Sequence, residues 1–270
     1  MKNLAQKIDI TKETVKEHPI LFNTEMVKAI LEGRKTQTRR VMKEQPPSDD
    51  WLLAYVVSST ERKNEGKRQW VRMNKEKTLQ LEAGPYFTKP YQIGDRLWVR
   101  ETTVISPPNW LSHDDVLDHP DIIKDSKGEH RVVQYIATNP DTDVPVKDYK
   151  LKKTPSIHMP RWASRILLEI TNVRVEHLND ISEEDSIAEG VESIDSERDV
   201  HDFSICSKCG GTRSHGALGH NLGWIEVECR ECDTHKKRFE SFWESINGED
   251  SWDVDPWVWV IEFRVIEGGR

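Results

Sequence analysis

The chain is poor in apolar residues and in cysteine and its charge balance is acidic, and each feature argues against a class of protein. Only 36% of its 270 residues are hydrophobic while 32% are charged, and mean hydropathy is −0.71. No run approaches the roughly eighteen apolar residues of a membrane-spanning helix, so no membrane association is expected. Met1 to His18 has mixed charge and no apolar h-region, which argues against an export signal. Cysteine is limited to four positions, all between Cys206 and Cys232. That argues against a disulfide-stapled secreted fold, and a cytoplasmic protein is the expectation. A net charge of −8 argues against a protein that coats nucleic acid through bulk electrostatics. The length suits one large domain carrying insertions around a modest core.

One stretch nevertheless has a clear local excess of basic charge over acidic. Six Lys/Arg and one Glu lie between Lys28 and Lys43, so a nucleotide or nucleic-acid contact should focus there. Just upstream, Val27, Ile30 and Leu31 fall at i, i+3 and i+4 and form one apolar face of a short helix, with Asn23 or Thr24 as its N-cap. Gly33 stands where a left-handed residue would stop that helix. The chain continues Gly33-Arg34-Lys35-Thr36-Gln37-Thr38-Arg39-Arg40 with no apolar side chain before Val41. A packed core gains nothing from that composition, so a surface site is expected. Further on, Ser182 should cap a compact helix between Asp180 and Gly190. Glu189 falls in its last turn, where the negative end of the helix dipole favours a carboxyl that keeps its proton.

These residue types suit acyl transfer. A threonine hydroxyl attacks only when a base takes its proton, and a lysine crowded by like charges such as Arg34, Arg39 and Arg40 can be that base. In this scheme Thr38 attacks, Lys35 accepts the proton and Glu189 protonates the leaving nitrogen, while Arg40 or backbone amides stabilise the oxyanion. Spacing alone equally admits a solvated charged turn and an ordinary surface glutamate.

The cysteines form two C-x-x-C pairs, Cys206/Cys209 and Cys229/Cys232, with nineteen residues between them. Two such knuckles supply tetrahedral thiolate coordination with no open position, so a structural zinc is expected, against two redox dithiols or free thiols as the alternative. Gly223 to Glu228 reads as a strand leading into the second pair, as in a zinc ribbon. His215, His220 and His235 read as bystanders. Elsewhere, Arg161 and Arg165 flank Trp162 and could offer guanidinium groups and a stacking face to a nucleotide, or simply mark a strand entry. Strands are expected at 96–102, 131–137, 166–175 and 257–266, with Trp98, Trp257 and Trp259 in the core. Phe239, Phe242, Trp243 and Ile246 recur at helical spacing. Residues 43–90 read as a polar, solvated insertion containing a hairpin, 104–157 as a second polar insertion, and Glu249 to Asp255 as a solvated loop. The fold class that follows is α+β, a small mixed β-barrel with flanking helices and a zinc-ribbon insertion.

The run Gly33-x-Lys35-x-x-Thr38-x-Arg40 resembles the signature of the ASCH family, Gly-x-Lys-x-x-Glu-x-Arg, whose β-barrel is related to PUA domains. Applied here, the resemblance implies a barrel over 19–191 and 239–267, interrupted near 43–90 and 104–157. A zinc ribbon would occupy 200–236, and 1–18 would be a lead-in. Threonine in place of glutamate at position 38 is similar to the YqfB-like amidohydrolases of this family, which deacetylate N4-acetylcytidine. That likeness implies a nucleophilic Thr38, a catalytic Lys35 and a partnering Glu189; the residues expected to contact the ligand beside them are Gly33, Arg40, Arg161 and Arg165. Taken whole, the chain looks most like larger ASCH proteins of bacteriophages and prophages, acting in a bacterial host's cytoplasm. The implied ligand is a nucleoside or RNA element. The alternatives are a non-catalytic RNA-binding module, or a phage structural or host-interaction protein whose zinc ribbon meets another protein.

Overall fold

Short runs of β-branched and aromatic residues between turns make this mostly a strand protein, and only three described segments hold a full α-helical turn or more. The computed structural model describes residues 15–110, 122–139, 151–191, 206, 208–212, 214–219 and 223–267. In chain order the first half contains β1 (Glu17–Leu21), α1 (Thr24–Leu31), β2 (Gln37–Val41), β3 (Trp51–Tyr55), β4 (Arg68–Met73), β5 (Gln80–Ala83), β6 (Arg96–Arg100) and β7 (Thr103–Ile105). The second half contains β8 (Ile122–Lys124), β9 (His130–Tyr135), β10 (Lys152–Thr154), β11 (Leu167–His177), α2 (Glu183–Ala188), β12 (Ser214–Gly219), β13 (Gly223–Glu228), α3 (His235–Asn247) and β14 (Trp257–Glu267).

The central sheet has five strands in the order β1-β6-β11-β14-β2. The β1–β6 pair is parallel, and the other pairs are antiparallel. β14 lies between β11 and β2, so its alternate residues divide between two cores. Trp259, Ile261 and Phe263 join Phe22, Ile30, Leu97 and Ile170 on one face. Val258 and Val260 join Leu178, Phe239, Trp243 and Trp252 on the other. The chain is therefore α+β. Among the described residues no ladder joins the edge strands β1 and β2. Instead the Arg40 guanidinium on β2 donates to the Leu21 carbonyl on β1 at 2.7 Å, a side-chain link between the two edges.

Residues 43–90 depart from the solvated insertion expected of them. They build a meander, β3-β4-β5, whose Trp51 and Trp70, with the following Phe87, are buried in the central core. The Trp70 indole N–H donates to the Glu44 carbonyl at 2.7 Å, which satisfies its polar edge. Residues 122–139 and 151–154, with β7, form a second small sheet, β10-β7-β9-β8. The expected strand at 131–137 is β9. The expected lead-in ends sooner than 18, because β1 starts at Glu17. The expected solvated loop at 249–255 is exposed at most positions but buries Trp252. His220 lies outside the described residues.

A candidate charged site and a four-thiol centre

Local signals place Lys35 and Glu189 face to face. The Asn23 side chain caps α1 by accepting from the Met26 amide at 2.8 Å. Gly33, at φ +75°, turns the chain out of the helix, and the Lys35 amide then bonds back to the Ala29 carbonyl at 3.0 Å. On the other side, Ser182 caps α2 through the Asp185 amide at 3.1 Å. Gly190 follows the helix at φ +84°. A Cβ at Gly190 would lie 2.7 Å from the Lys35 Cβ and 2.9 Å from that of Ala29, so this close approach needs glycine for space as well as for φ. The two segments meet as a single antiparallel bridge, Lys35 to Glu189.

The basic stretch does not stay at the surface. Lys35 and Thr38 are each only 1% exposed and Arg39 3%. Burial becomes tolerable because β11 and α2 supply the acids. The Lys35 ammonium donates to the Glu189 Oε2 at 2.8 Å and to its backbone carbonyl at 2.7 Å. Arg39 donates to the Glu189 Oε1 at 3.1 Å, to Asp185 at 2.8 Å and to Glu176 at 3.2 Å. Arg174 continues the network to Asp185 at 2.6 Å and also pairs with Glu176 and Glu262. The expected surface position is thereby corrected.

Strand alternation then sorts the basic residues. Arg39 lies opposite Val260 and its guanidinium sits 5.9 Å from the Phe239 ring of α3. Thr38 and Arg40 lie opposite Ile261 and Trp259, on the other face. Thr38, Arg39, Arg40 and Glu189 border a cavity of about 60 Å³ that α3 roofs with Phe239, Phe242 and Trp243. Among the described residues the Thr38 hydroxyl makes no hydrogen bond to Lys35 or Glu189. Burial pushes the Lys35 ammonium below the ordinary lysine range. Glu189 opposes that shift, and the charges of Arg40 and Arg39 add to it. Like charge therefore acts in the expected direction, but burial is the larger cause. Burial raises the Asp185 carboxyl, yet its bonds with Arg39 and Arg174 outweigh this and hold it below the usual carboxylate range.

Arg161 and Arg165 stand elsewhere, and neither borders that cavity. Arg161 is an exposed partner of Glu17 at 2.9 Å. Arg165 is buried, makes a two-pronged pair with Glu101 at 2.9 and 3.0 Å, and lies 4.0 Å from the centre of the Tyr135 ring. Both guanidinium groups thus have carboxylate partners within the chain. Trp162 packs against the cluster of Met159, Ala163 and Tyr135. The sequence marked Arg39 only as a charge near Lys35 and did not mark Asp185, Glu176 or Arg174. A hint was present in the alternation of Arg174 and Glu176 along a strand otherwise rich in Val and Ile.

The four cysteines converge. All four sulfurs lie within 4.8 Å of one another and all are buried. Cys206 Sγ is 3.8 Å from Cys229 Sγ, and Cys209 Sγ is 3.3 Å from Cys232 Sγ; none is in a disulfide. Tetrahedral coordination at about 2.3 Å per sulfur requires separations of about 3.8 Å, so the set can hold one metal ion. Burial and neighbouring thiols push the Cys229 and Cys232 thiols up. Between the knuckles, β12 and β13 form a hairpin whose cross-strand pair Leu218 and Trp224 is exposed. After the second knuckle the chain enters α3, where Arg238 donates to the Cys232 carbonyl at 3.3 Å. His235 is no ligand: its amide and ring meet Glu183 of α2 at 2.9 and 3.3 Å. The thiol centre, α3 and the charged site are therefore one continuous construction. Among the described residues no helix is long and apolar enough to cross a membrane. No family model, curated protein or solved structure matches this chain.

Proposed function

We propose that the chain is an ASCH-type protein with a PUA-like barrel that binds a nucleoside or RNA element beside Lys35, Thr38, Arg40 and Glu189. The reaction this set is equipped for is hydrolysis of an amide on a modified base such as N4-acetylcytidine. The observation that carries the reading is the buried Lys35–Glu189 pair, 2.8 Å apart, with Thr38 and Glu189 on the wall of one cavity. The ion pair and its neutral form, amine beside carboxylic acid, contain the same protons. A shift across that contact gives both a base and an acid without exchange with bulk water. Lys35 takes the Thr38 proton as the hydroxyl attacks the acyl carbon. Glu189 gives its proton to the departing nitrogen as the C–N bond breaks, and water then hydrolyses the acyl–threonine ester. Incubation with N4-acetylcytidine should release cytidine and acetate. Thr38→Val, which keeps the buried shape, should lower the rate by about a hundredfold or more. Absence of turnover, or turnover indifferent to that substitution, rejects the chemistry.

A second reading, binding without chemistry, is favoured by a separate observation. The cavity at Thr38 is about 60 Å³, against roughly 300 Å³ or more for common small-molecule sites. Both Glu189 oxygens already accept from cations. This reading expects saturable, salt-sensitive RNA binding with no product, weakened by Arg40→Ala. For the thiol centre the proposed ion is zinc, in a structural role, because four thiolates leave no open position. Protein purified without added metal should contain about one zinc per chain, and a value near zero rejects that assignment.

A further inference from the structure

On the far side of Arg40 from the charged cavity lies a second, larger space that neither the charged site nor the thiol centre uses. It is a cleft of about 470 Å³ between the central sheet and the 43–90 meander. Arg40, Lys43 and Lys67 line it together with the aromatic side chains of Tyr86, Tyr91 and Trp259. The outer wall is held in place by paired backbone bonds of 2.8 Å each way between Arg68 and Phe87, and by Phe87 packing near Trp70. Its size falls within the range of sites that take a nucleotide-sized ligand.

The charge of the cleft is unusual for this chain. Arg40, Lys43 and Lys67 face one bordering carboxylate, Glu44. Behind them, Arg68 lies 5.7 Å from the ring centres of both Tyr55 and Trp259, with its NH1 buried and unpartnered among the described residues. Burial pushes the neighbouring Lys89 below the ordinary lysine range, and Arg68 adds to that shift. None of these five cations forms a salt bridge among the described residues, in a protein whose net charge is −8. Arg40 donates to the Leu21 carbonyl and Lys67 to Asn64 Oδ1 at 3.1 Å, but neither charge is neutralised by a carboxylate among the described residues. Cations without acidic partners beside aromatic faces match a phosphodiester chain with splayed bases.

We propose that this cleft binds a single-stranded oligonucleotide, with backbone phosphates at Arg40, Lys43 and Lys67 and a base stacked on Tyr86. The inference rests on the nucleic-acid reading above through Arg40, and it enlarges the ligand from a nucleoside to a strand that continues away from the charged cavity. The test is fluorescence anisotropy with labelled oligouridine of about ten nucleotides, with oligothymidine and uridine monophosphate as competitors. Saturable binding is expected, with log affinity falling against log salt at a slope of about −2 for three contacts. Lys43→Ala combined with Lys67→Ala should weaken binding about tenfold or more and flatten the slope. Tyr86→Ala should weaken it about fivefold or more.

Competition by oligothymidine as strong as by RNA supports a sugar-blind backbone site, and weaker competition supports an RNA site. The proposal is overturned by no saturable binding, by both variants binding like the parent, or by the mononucleotide competing as well as the oligomer. Lys43 and Tyr86 are exposed side chains, so circular dichroism of the variants should match the parent. Failure here and failure of the hydrolysis reading are separable. Anisotropy without turnover rejects only the chemistry, and turnover without anisotropy rejects only this cleft.

Discussion

The cavity beside Glu189 and the cleft beside Trp259 share Arg40 and Val41 as a common wall, yet they handle charge in opposite ways. In the first, buried cations meet carboxylates at 2.8 to 3.2 Å, and α3 closes the roof. In the second, cations remain without acidic partners and the space stays open to solvent. Pairing spends a cation's attraction inside the protein; leaving it unpaired keeps that attraction for a ligand. On the proposed reading, the first region holds and poises side chains, and the second captures a polyanion.

The largest expected effect comes from removing the zinc proposed for the thiol centre. Structural zinc in small modules contributes on the order of 10 kcal/mol of binding free energy. A strong chelator should release the knuckles and loosen α3, the roof of the paired cavity, while β14 stays protected. Hydrogen exchange would read this, and α3 amides as protected as those of β14 after chelation would break the proposed coupling. Next is Glu189→Ala, which leaves Lys35 without its acid and Arg39 short of one. The loss should be about 3–5 kcal/mol in urea unfolding. A loss under about 1 kcal/mol would mean the pair is hydrated and the contrast with the open cleft is false. Gly190→Ala should cost more than about 1 kcal/mol, since the new Cβ meets Lys35 and Ala29 in a left-handed backbone.

A smaller effect is acid sensitivity through Asp185. Its folded carboxyl is held below the unfolded value of about 3.9 by Arg39 and Arg174. The stabilisation is complete above that unfolded value and is lost as pH falls through the folded one, because the unfolded chain binds the proton first. Unfolding midpoints measured below about pH 4 should therefore fall less steeply in Asp185→Asn than in the parent. Equal slopes would remove Asp185 from the paired network.

How far the sequence revealed these regions depended on the range of the interactions. The α1 stop at Gly33, the Ser182 cap and the two knuckles are local patterns, because turn geometry and capping act within a few residues. The β14 strand was visible in its run of apolar and β-branched residues. Burial of Arg39 was not visible, because its partners Glu176 and Asp185 lie 137 and 146 positions away and only the fold brings them near. Trp51 and Trp70 begin or precede apolar residues (Leu52-Leu53-Ala54 and Val71) inside a segment that is polar overall, and their burial was hidden because their packing partners belong to the central sheet. The open cleft spans both cases, with Arg40 and Lys43 obvious as charges and Lys67 and Tyr86 joining them only through the meander.

The division between paired and unpaired cations is tested most directly by measuring urea stability and oligonucleotide affinity side by side for Lys35→Met and Lys43→Ala. Lys35→Met should lose roughly 3 kcal/mol or more of stability, because Glu189 is left facing an apolar chain. Lys43→Ala should stay within about 0.5 kcal/mol of the parent in stability while its affinity falls. The account is contradicted if Lys35→Met unfolds at the parent's midpoint, or if Lys43→Ala binds the oligonucleotide as tightly as the parent.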